Sequence, residues 1–591
     1  MQRDDVLKLI LKYMKPYSKM IALAVGLKFL STIFELFLPY ILEYIIDDVV
    51  PKGNMTHVIL WGLLMFAAAV CTWLSGISAN TTAIRNAHNV SYDVRQDLFT
   101  KTANLSGRQF DEYGLPSLIS RMTSDSYNFQ TASQQLQSLC VRAPMMLIGG
   151  IFMTMIMDFR LSLILIVILP FLIAIIVVVY SKGIPMFSVV QQKLDSVVRI
   201  MRENITGIRV VKALSKTEYE KKRFGSANTE MADSDIKAST VMAVPGPFMQ
   251  LLLNIGLVII VIVGAKRVNS GDMQPGVILA FLTYFNMITM GIMGLSRIFI
   301  TLSKASASAN RIGDVLKADT TEDIVPSHLA HKPQGDEFIR FENVTFSYVY
   351  DKEENSHSFA GGQRENALED ISFAIRRGES LGIIGPTGCG KTTVINLLMR
   401  FYDADKGAVF VDGRDVRTYS KDELHSKFGT VFQNDMIFQD TLRENISFGR
   451  GISEEDQLGA VRDAQAAEYI EGLDGGLDYH ANIKGANLSG GQRQRLLVAR
   501  ALAAKPEILV LDDSSSALDY RTDAAMRKAI TQNHKESTLI MIAQRVSSVM
   551  NLTHIMVMDD GRCIGYGTHE ELLENCPQYK EIYEAQMGSV D

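Results

Sequence analysis

"SLGIIGPTGCGKTTVINLLMRF", residues 380–401, decides how the second half of this chain is read. A short apolar run of strand type enters "GPTGCGKTT" at 385–393, and a helical run leaves it. The centre fits G-x-x-x-x-G-K-[ST]. Glycines at 385, 388 and 390 free the backbone to turn N–H groups inward, where phosphate oxygens accept them. The following helix presents its positive N-terminus to the same anion. The spacing predicts a cradle from Gly385 through Pro386, Thr387, Gly388, Cys389 and Gly390 to Lys391, Thr392 and Thr393. Lys391 is expected to reach the β- and γ-phosphates of ATP, and the Thr392 hydroxyl to bind Mg²⁺.

Outward from the cradle, short β-type runs alternate with helical ones: "FIRFENVTFSY", "AVFVDG", "ILVLDD", "STLIMIAQ". That alternation predicts an α/β P-loop domain with a largely parallel sheet over 336–591. "ILVLD" ends in Asp512, a carboxylate delivered by a buried strand and suited to a second Mg²⁺ contact. Residues 316–335 are polar and read as a linker.

Residues 1–315 have another texture. A bilayer-spanning helix needs about 20 mostly apolar residues. Six stretches qualify, at about 18–46, 57–83, 137–158, 160–182, 246–266 and 275–302. "MDFRLS" makes a tight turn between the third and fourth. The connections at 84–136 and 183–240 are rich in Lys and Arg, whereas the loop near 47–56 has only Lys52. Positive charge stays inside, so both connections and both termini are expected in the cytoplasm. The first 15 residues are amphipathic and are expected on the inner membrane surface. The fold class is thus an α-helical transmembrane domain, with long cytoplasmic extensions and an N-terminal interfacial helix, fused to the P-loop domain. A net charge of −6 gives no footprint for nucleic acid, and the five cysteines are scattered without metal-ligand spacing.

"NLSGGQRQR" at 487–495 resembles the LSGGQ signature of ABC transporters, with Leu488, Ser489, Gly490, Gly491 and Gln492 intact. "FSY" with Tyr348, "TVFQND" with Gln433, and "SALD" at 516–519 extend the likeness. Six spans ahead of one nucleotide-binding domain resemble the exporter type of that family, as a half-transporter. "FDEYGLPSLISRMTSD" and "ENITGIRVVKAL" look like its two cytoplasmic connections. The resemblance implies that Tyr348 stacks on adenine and that Gln433 touches Mg²⁺. It also implies that two such chains face head to tail, each signature closing on the ATP held by the other chain's cradle.

Two positions depart from that pattern. The family's Glu after the strand-end Asp is here Asp513, one methylene shorter; the family's switch His is here Gln544. General-base chemistry needs hydrogen-bond reach, and Gln carries no titratable proton. These departures predict a site that holds ATP and hydrolyses it slowly or not at all, beside an intact signature. The expected partner is a second, homologous half-transporter with the Glu and the His. Ile483 replaces an acid ahead of the signature, and 348–370 is longer than the pattern requires.

The spans give hints of cargo. Lys28, Glu35 and Arg297 are costly at membrane depth, so they are expected to face a cavity or each other. An amphipathic cation suits Glu35. Met145, Met146, Met153, Met155 and Met157 in the third span, with Met287, Met290 and Met293 in the sixth, offer adaptable apolar surface. Export of drug-like or lipid-like amphipathic molecules from a bacterial inner membrane is what the resemblance implies. An ATP-binding regulatory or gating subunit, or an exporter-shaped importer, stays open at this point.

Overall fold

The computed structural model describes residues 3–318, 324–326, 330–332, 335, 337–348, 366–514 and 516–588. They form two compact units, Met1–Ala103 with Pro116–Ala318, and Asn104–Leu115 with Asp319–Asp591. Most of the long segment after Tyr348, and parts of the linker, lie outside the described residues.

The first unit is helical throughout. Among the described residues, six helical stretches are long and apolar enough to cross a membrane: Leu9–Lys52, Met55–Ala103, Leu115–Met157, Phe159–Thr206, Thr217–Asn269 and Pro275–Lys317. Met55–Ala103 has 49 residues, roughly 74 Å at the rise of an α-helix and more than twice the hydrocarbon thickness. The surplus length carries the helix beyond the bilayer, as the long connections in the sequence predict. Rings such as Phe66 and Trp73 point outward, as a lipid-facing surface requires. The turn at "MDFRLS" is made by Asp158. Its Oδ1 accepts from the Leu161 N–H at 2.9 Å, capping Phe159–Thr206, and its Oδ2 accepts from Arg267 at 2.6 Å. The N-terminal helix Arg3–Met14 and the turn Lys15–Tyr17 after it are tied down by polar contacts: Tyr13 donates to Asp97 at 2.6 Å, and Tyr17 to Asp93 at 2.8 Å.

The intramembrane charges share a partner on the third span: Glu35 accepts from Arg142 at 2.8 Å, and Lys28 lies close enough to feel both charges. Lys28 donates to Asn80 Oδ1 at 3.3 Å. Arg142 and Glu35 are 107 residues apart in sequence, a meeting that no local spacing displays. The methionines divide: Met146 is buried, with Met153, Met157 and Met287 packed beside it, whereas Met290 and Met293 are exposed.

The described residues of the second unit form two sheets. Its strands are β1 (Ile339–Phe346), β2 (Leu368–Ile375), β3 (Ser380–Ile384), β4 (Lys406–Val411), β5 (Arg414–Asp415), β6 (Phe428–Val431), β7 (Ile508–Asp512), β8 (Thr538–Ile542), β9 (His554–Asp559) and β10 (Arg562–Gly567). The larger sheet runs β10-β9-β3-β8-β7-β6, parallel except at β10. Its central strands are apolar at almost every position, as burial on both faces demands: β7 and β8 are buried along their whole length. The smaller sheet, β2-β1-β4-β5, is antiparallel. "FIRFENVTFSY" and "AVFVDG" therefore do not join the parallel sheet. The turn Asp412–Gly413, with φ of +53° and +70°, reverses the chain between β4 and β5 as a two-residue hairpin.

Candidate functional site

In an open parallel sheet, ligands bind beyond the carboxyl ends of the strands. Four carboxyl ends deliver the residues singled out from the sequence. β3 runs directly into Gly385, β7 ends on Asp512, β8 is followed by Ala543 and Gln544, and β6 is followed by Phe432 and Gln433. The register sets Asp512 opposite Ile542, and Val431 opposite Leu511.

The loop after β3 passes so close to β9 that side chains are excluded. A Cβ on Gly385 would sit 2.1 Å from the Met558 carbonyl oxygen. Gly390 has φ +98° and no room for a Cβ beside the Ala367 carbonyl. The helix Lys391–Leu398 begins there. Lys391 Nζ lies back over the loop, donating to the carbonyls of Gly385 at 2.9 Å and Pro386 at 2.7 Å. Cys389 is buried beneath it, and burial raises its thiol pKa, so it packs as an apolar side chain.

Thr392 Oγ1 donates to Asp512 Oδ2 at 2.8 Å. A hydroxyl from the first turn of the helix after the cradle and a carboxylate from the end of β7 thus share one spot, which is the oxygen donor set a magnesium ion carried by ATP prefers. Asp512 is almost fully buried, and desolvation raises its pKa. A cation at that point would stabilise the ionised carboxylate.

Asp513 follows with φ +49°, its N–H donating to the Ile542 carbonyl at 3.0 Å. Burial raises its pKa too, with Lys391 and Arg545 opposing. Gln544 Nε2 donates to Asp513 Oδ2 at 3.2 Å. The two departures from the family pattern are therefore hydrogen-bonded to each other.

Tyr348 leans on the helix after the cradle. Its hydroxyl donates to Thr393 Oγ1 at 3.2 Å and accepts from Asn396 at 3.3 Å. Its ring meets those of Phe346 and Tyr402 edge-on. Tyr402 in turn donates to Asp111 at 2.6 Å, and the Gly107 N–H donates to the Phe401 carbonyl. Gly107–Tyr113 is a short helix of the first connection, capped by Ser106 and Gln109. Sequence reasoning missed Tyr402, which nothing but its place after the cradle helix distinguishes.

The signature opens the helix Gly490–Ala503. Ser489 and Gln492 form a capping box: Ser489 Oγ accepts from the Gln492 N–H, and Gln492 Oε1 accepts from the Ser489 N–H at 2.8 Å. The helix N-terminus is exposed at Ser489 and half-buried at the two glycines, a surface suited to an anion. One turn on, Gln494 ties this helix to the "SALD" turn, accepting from the Ala517 N–H at 2.9 Å and donating to Ser516 Oγ at 2.9 Å. Gln494 also went unremarked in the sequence. Gln433 and Ile483 are both exposed.

Two family models match the chain: the ABC transporter transmembrane region over residues 21–293, and ABC transporter over residues 368–516. The ABC transporter ATP-binding protein YfiB of Bacillus subtilis (strain 168), itself uncharacterized, is 34% identical over 98% of each chain. The ATP-dependent lipid A-core flippase of Syntrophus aciditrophicus (strain SB) is 29% identical, over 99% of this chain and 95% of its own. A bacterial Atm1-family ABC exporter, solved with ATP bound, superposes with a TM-score of 0.79 at 22% identity, covering 97% of this chain and 99% of that one.

Proposed function

The chain belongs to the ABC transporter family, and from that premise we propose that it is one subunit of a heterodimeric exporter of amphipathic molecules. Its own nucleotide site holds ATP with Mg²⁺ and turns it over slowly. Its signature, Leu488 to Gln492, completes a competent site on the partner, a homologous half-transporter with the Glu and the His.

One observation carries the reading: Asp513 and Gln544 stand where the family's base and switch act, and are bonded to each other at 3.2 Å, while the signature helix has its capping box intact. The base position lacks reach, and its carboxylate already accepts from an amide. The cradle, Lys391, Thr392 and Asp512 keep what binding needs. Tyr348 is assigned to adenine, and Gln433 to Mg²⁺.

For cargo, Glu35 offers no unpaired carboxylate, being bonded to Arg142. Lipid-like molecules with a polar head fit the spans better than a simple amphipathic cation, and one relative is a lipid A-core flippase. The six spans place the protein in a membrane; a bacterial inner membrane with both termini in the cytoplasm is assigned from the charge asymmetry. The domain bounds 1–315, 316–335 and 336–591 are kept as the working division.

The test is the ATPase rate of this chain purified alone in detergent, set against the same chain purified with a candidate homologous half-transporter. A nearly inactive lone chain beside an active pair is expected. Equal rates would make Asp513 an adequate base and remove the asymmetric model.

A further inference from the structure

The final helix of the chain, Pro577–Met587, is anchored by a fully buried ring, that of Tyr579, hydrogen-bonded to His569 at 2.8 Å. About two turns further on, its exposed face carries Gln586. That side chain makes two complementary hydrogen bonds with the loop after β8. Its Oε1 accepts from the Val546 N–H at 2.8 Å, and its Nε2 donates to the Gln544 carbonyl at 2.9 Å. An amide has one accepting and one donating end, so a single side chain brackets Arg545 and fixes the path of the loop. A cavity of about 430 Å³ lies among Pro386, Thr387, Gln578 and Gln586. The helix therefore reaches the nucleotide edge of the sheet through the loop, not by packing on the cradle.

We propose that Gln586 is a positioning residue for this chain's nucleotide site. It holds the loop after β8 so that the Gln544 side chain stays on the Asp513 carboxylate, and thereby slows the release of bound ATP. The physical basis is preorganisation: a loop already ordered loses less freedom when it closes on a phosphate. The inference rests on the reading of this site as one that retains ATP.

The experiment uses the full chain in lipid nanodiscs, together with any subunit that co-purifies. It is loaded with Mg²⁺ and ATP labelled on the α-phosphate, then freed of unbound label. Retained label is followed in time, and its identity is read by thin-layer chromatography. Gln586→Ala is expected to speed release about fivefold, the weight of one neutral hydrogen bond. In a Gln544→Ala background the same substitution is expected to add almost nothing, because it acts through that side chain. Unchanged release in the single variant overturns the proposal. Equal acceleration in both backgrounds also overturns it, since a residue that merely supports the fold behaves that way. Gln586 is exposed, so the variant is expected to unfold at the wild-type temperature; if it does not, Gln586→Glu carries the same comparison. Wild-type protein that retains ADP removes the holding-site reading while the release rates still decide the role of Gln586. Protein that retains no label removes both.

Discussion

At the scale of single residues, the Asp513–Gln544 pair concentrates the chemistry. Asp513 sits at φ +49°, a conformation that Asp tolerates better than Glu because its short side chain bonds the nearby backbone. On the proposed reading, the same shortness would withdraw the carboxylate from a water at the γ-phosphate. The two effects oppose each other, and their sizes decide the outcome. A left-handed Glu costs about 1 kcal/mol of local strain. A well-placed general base contributes roughly 10²–10⁴ in rate. Asp513→Glu combined with Gln544→His is therefore expected to raise the ATPase of the lone chain by at least about tenfold, at a slight loss of thermal stability. Asp513→Glu alone is expected to give less, because Gln544 still donates to the carboxylate. A steady-state phosphate-release assay on the three proteins checks this. No gain in the double variant would place the slow step elsewhere than at the base.

At the scale of elements, the turn between the third and fourth spans shows how one side chain sets two helices. Asp158 caps Phe159–Thr206 with one oxygen and accepts from Arg267, on the helix Pro245–Asn269, with the other. Asp158→Ala is expected to remove both, at about 1 kcal/mol for the cap and more for the arginine left behind. Asp158→Asn keeps a capping oxygen but turns an N–H donor toward Arg267, losing that bond and the charge. The unfolding midpoint in detergent should thus fall in the order wild type, Asn, Ala; equal midpoints for Asn and Ala would deny the cap any part. The same turn shows what a sequence displays. "MDFRLS" was legible because two apolar runs flank a capping residue, and the six spans because each run is longer than a core helix needs. The cradle, Asp512 and the signature were legible because each is a fixed local spacing. Arg142 beside Glu35 and Tyr402 beside Asp111 join residues 107 and 291 positions apart, and no local period encodes such a meeting. Gln494 and Gln586 were illegible for another reason: a glutamine on a helix reads as surface until its partner is seen. The antiparallel sheet was hidden because β1, β2 and β4 look like any short strand, and pairing direction is decided by what lies between strands.

At the scale of the whole molecule, the proposed assembly makes the chain's two halves of a nucleotide site separable by mutation. The cradle side serves the ATP this chain holds; the signature side serves the partner's. In such an assembly the two sides weigh unequally. Ser489→Arg would put a bulky cation in place of the capping side chain, break its box with Gln492, and block the helix N-terminus from closing on the partner's γ-phosphate. The transporter is expected to lose ATPase by on the order of a hundredfold, the weight of lost transition-state electrostatics. Lys391→Ala empties the slow site and leaves the competent one with all its parts. Its effect passes only through coupling between the sites, so a loss of no more than about fivefold is expected, at the low end of such couplings. Both variants would be measured in the co-purified pair reconstituted in lipid, with transport of a fluorescent lipid analogue as a second readout. A homodimer carries each substitution in both sites, so there the two would silence ATPase alike, and that equality would end the asymmetric reading. If the gap between them is wide, the chain works chiefly through its signature, and its cradle serves to keep the pair together around a slowly exchanging ATP.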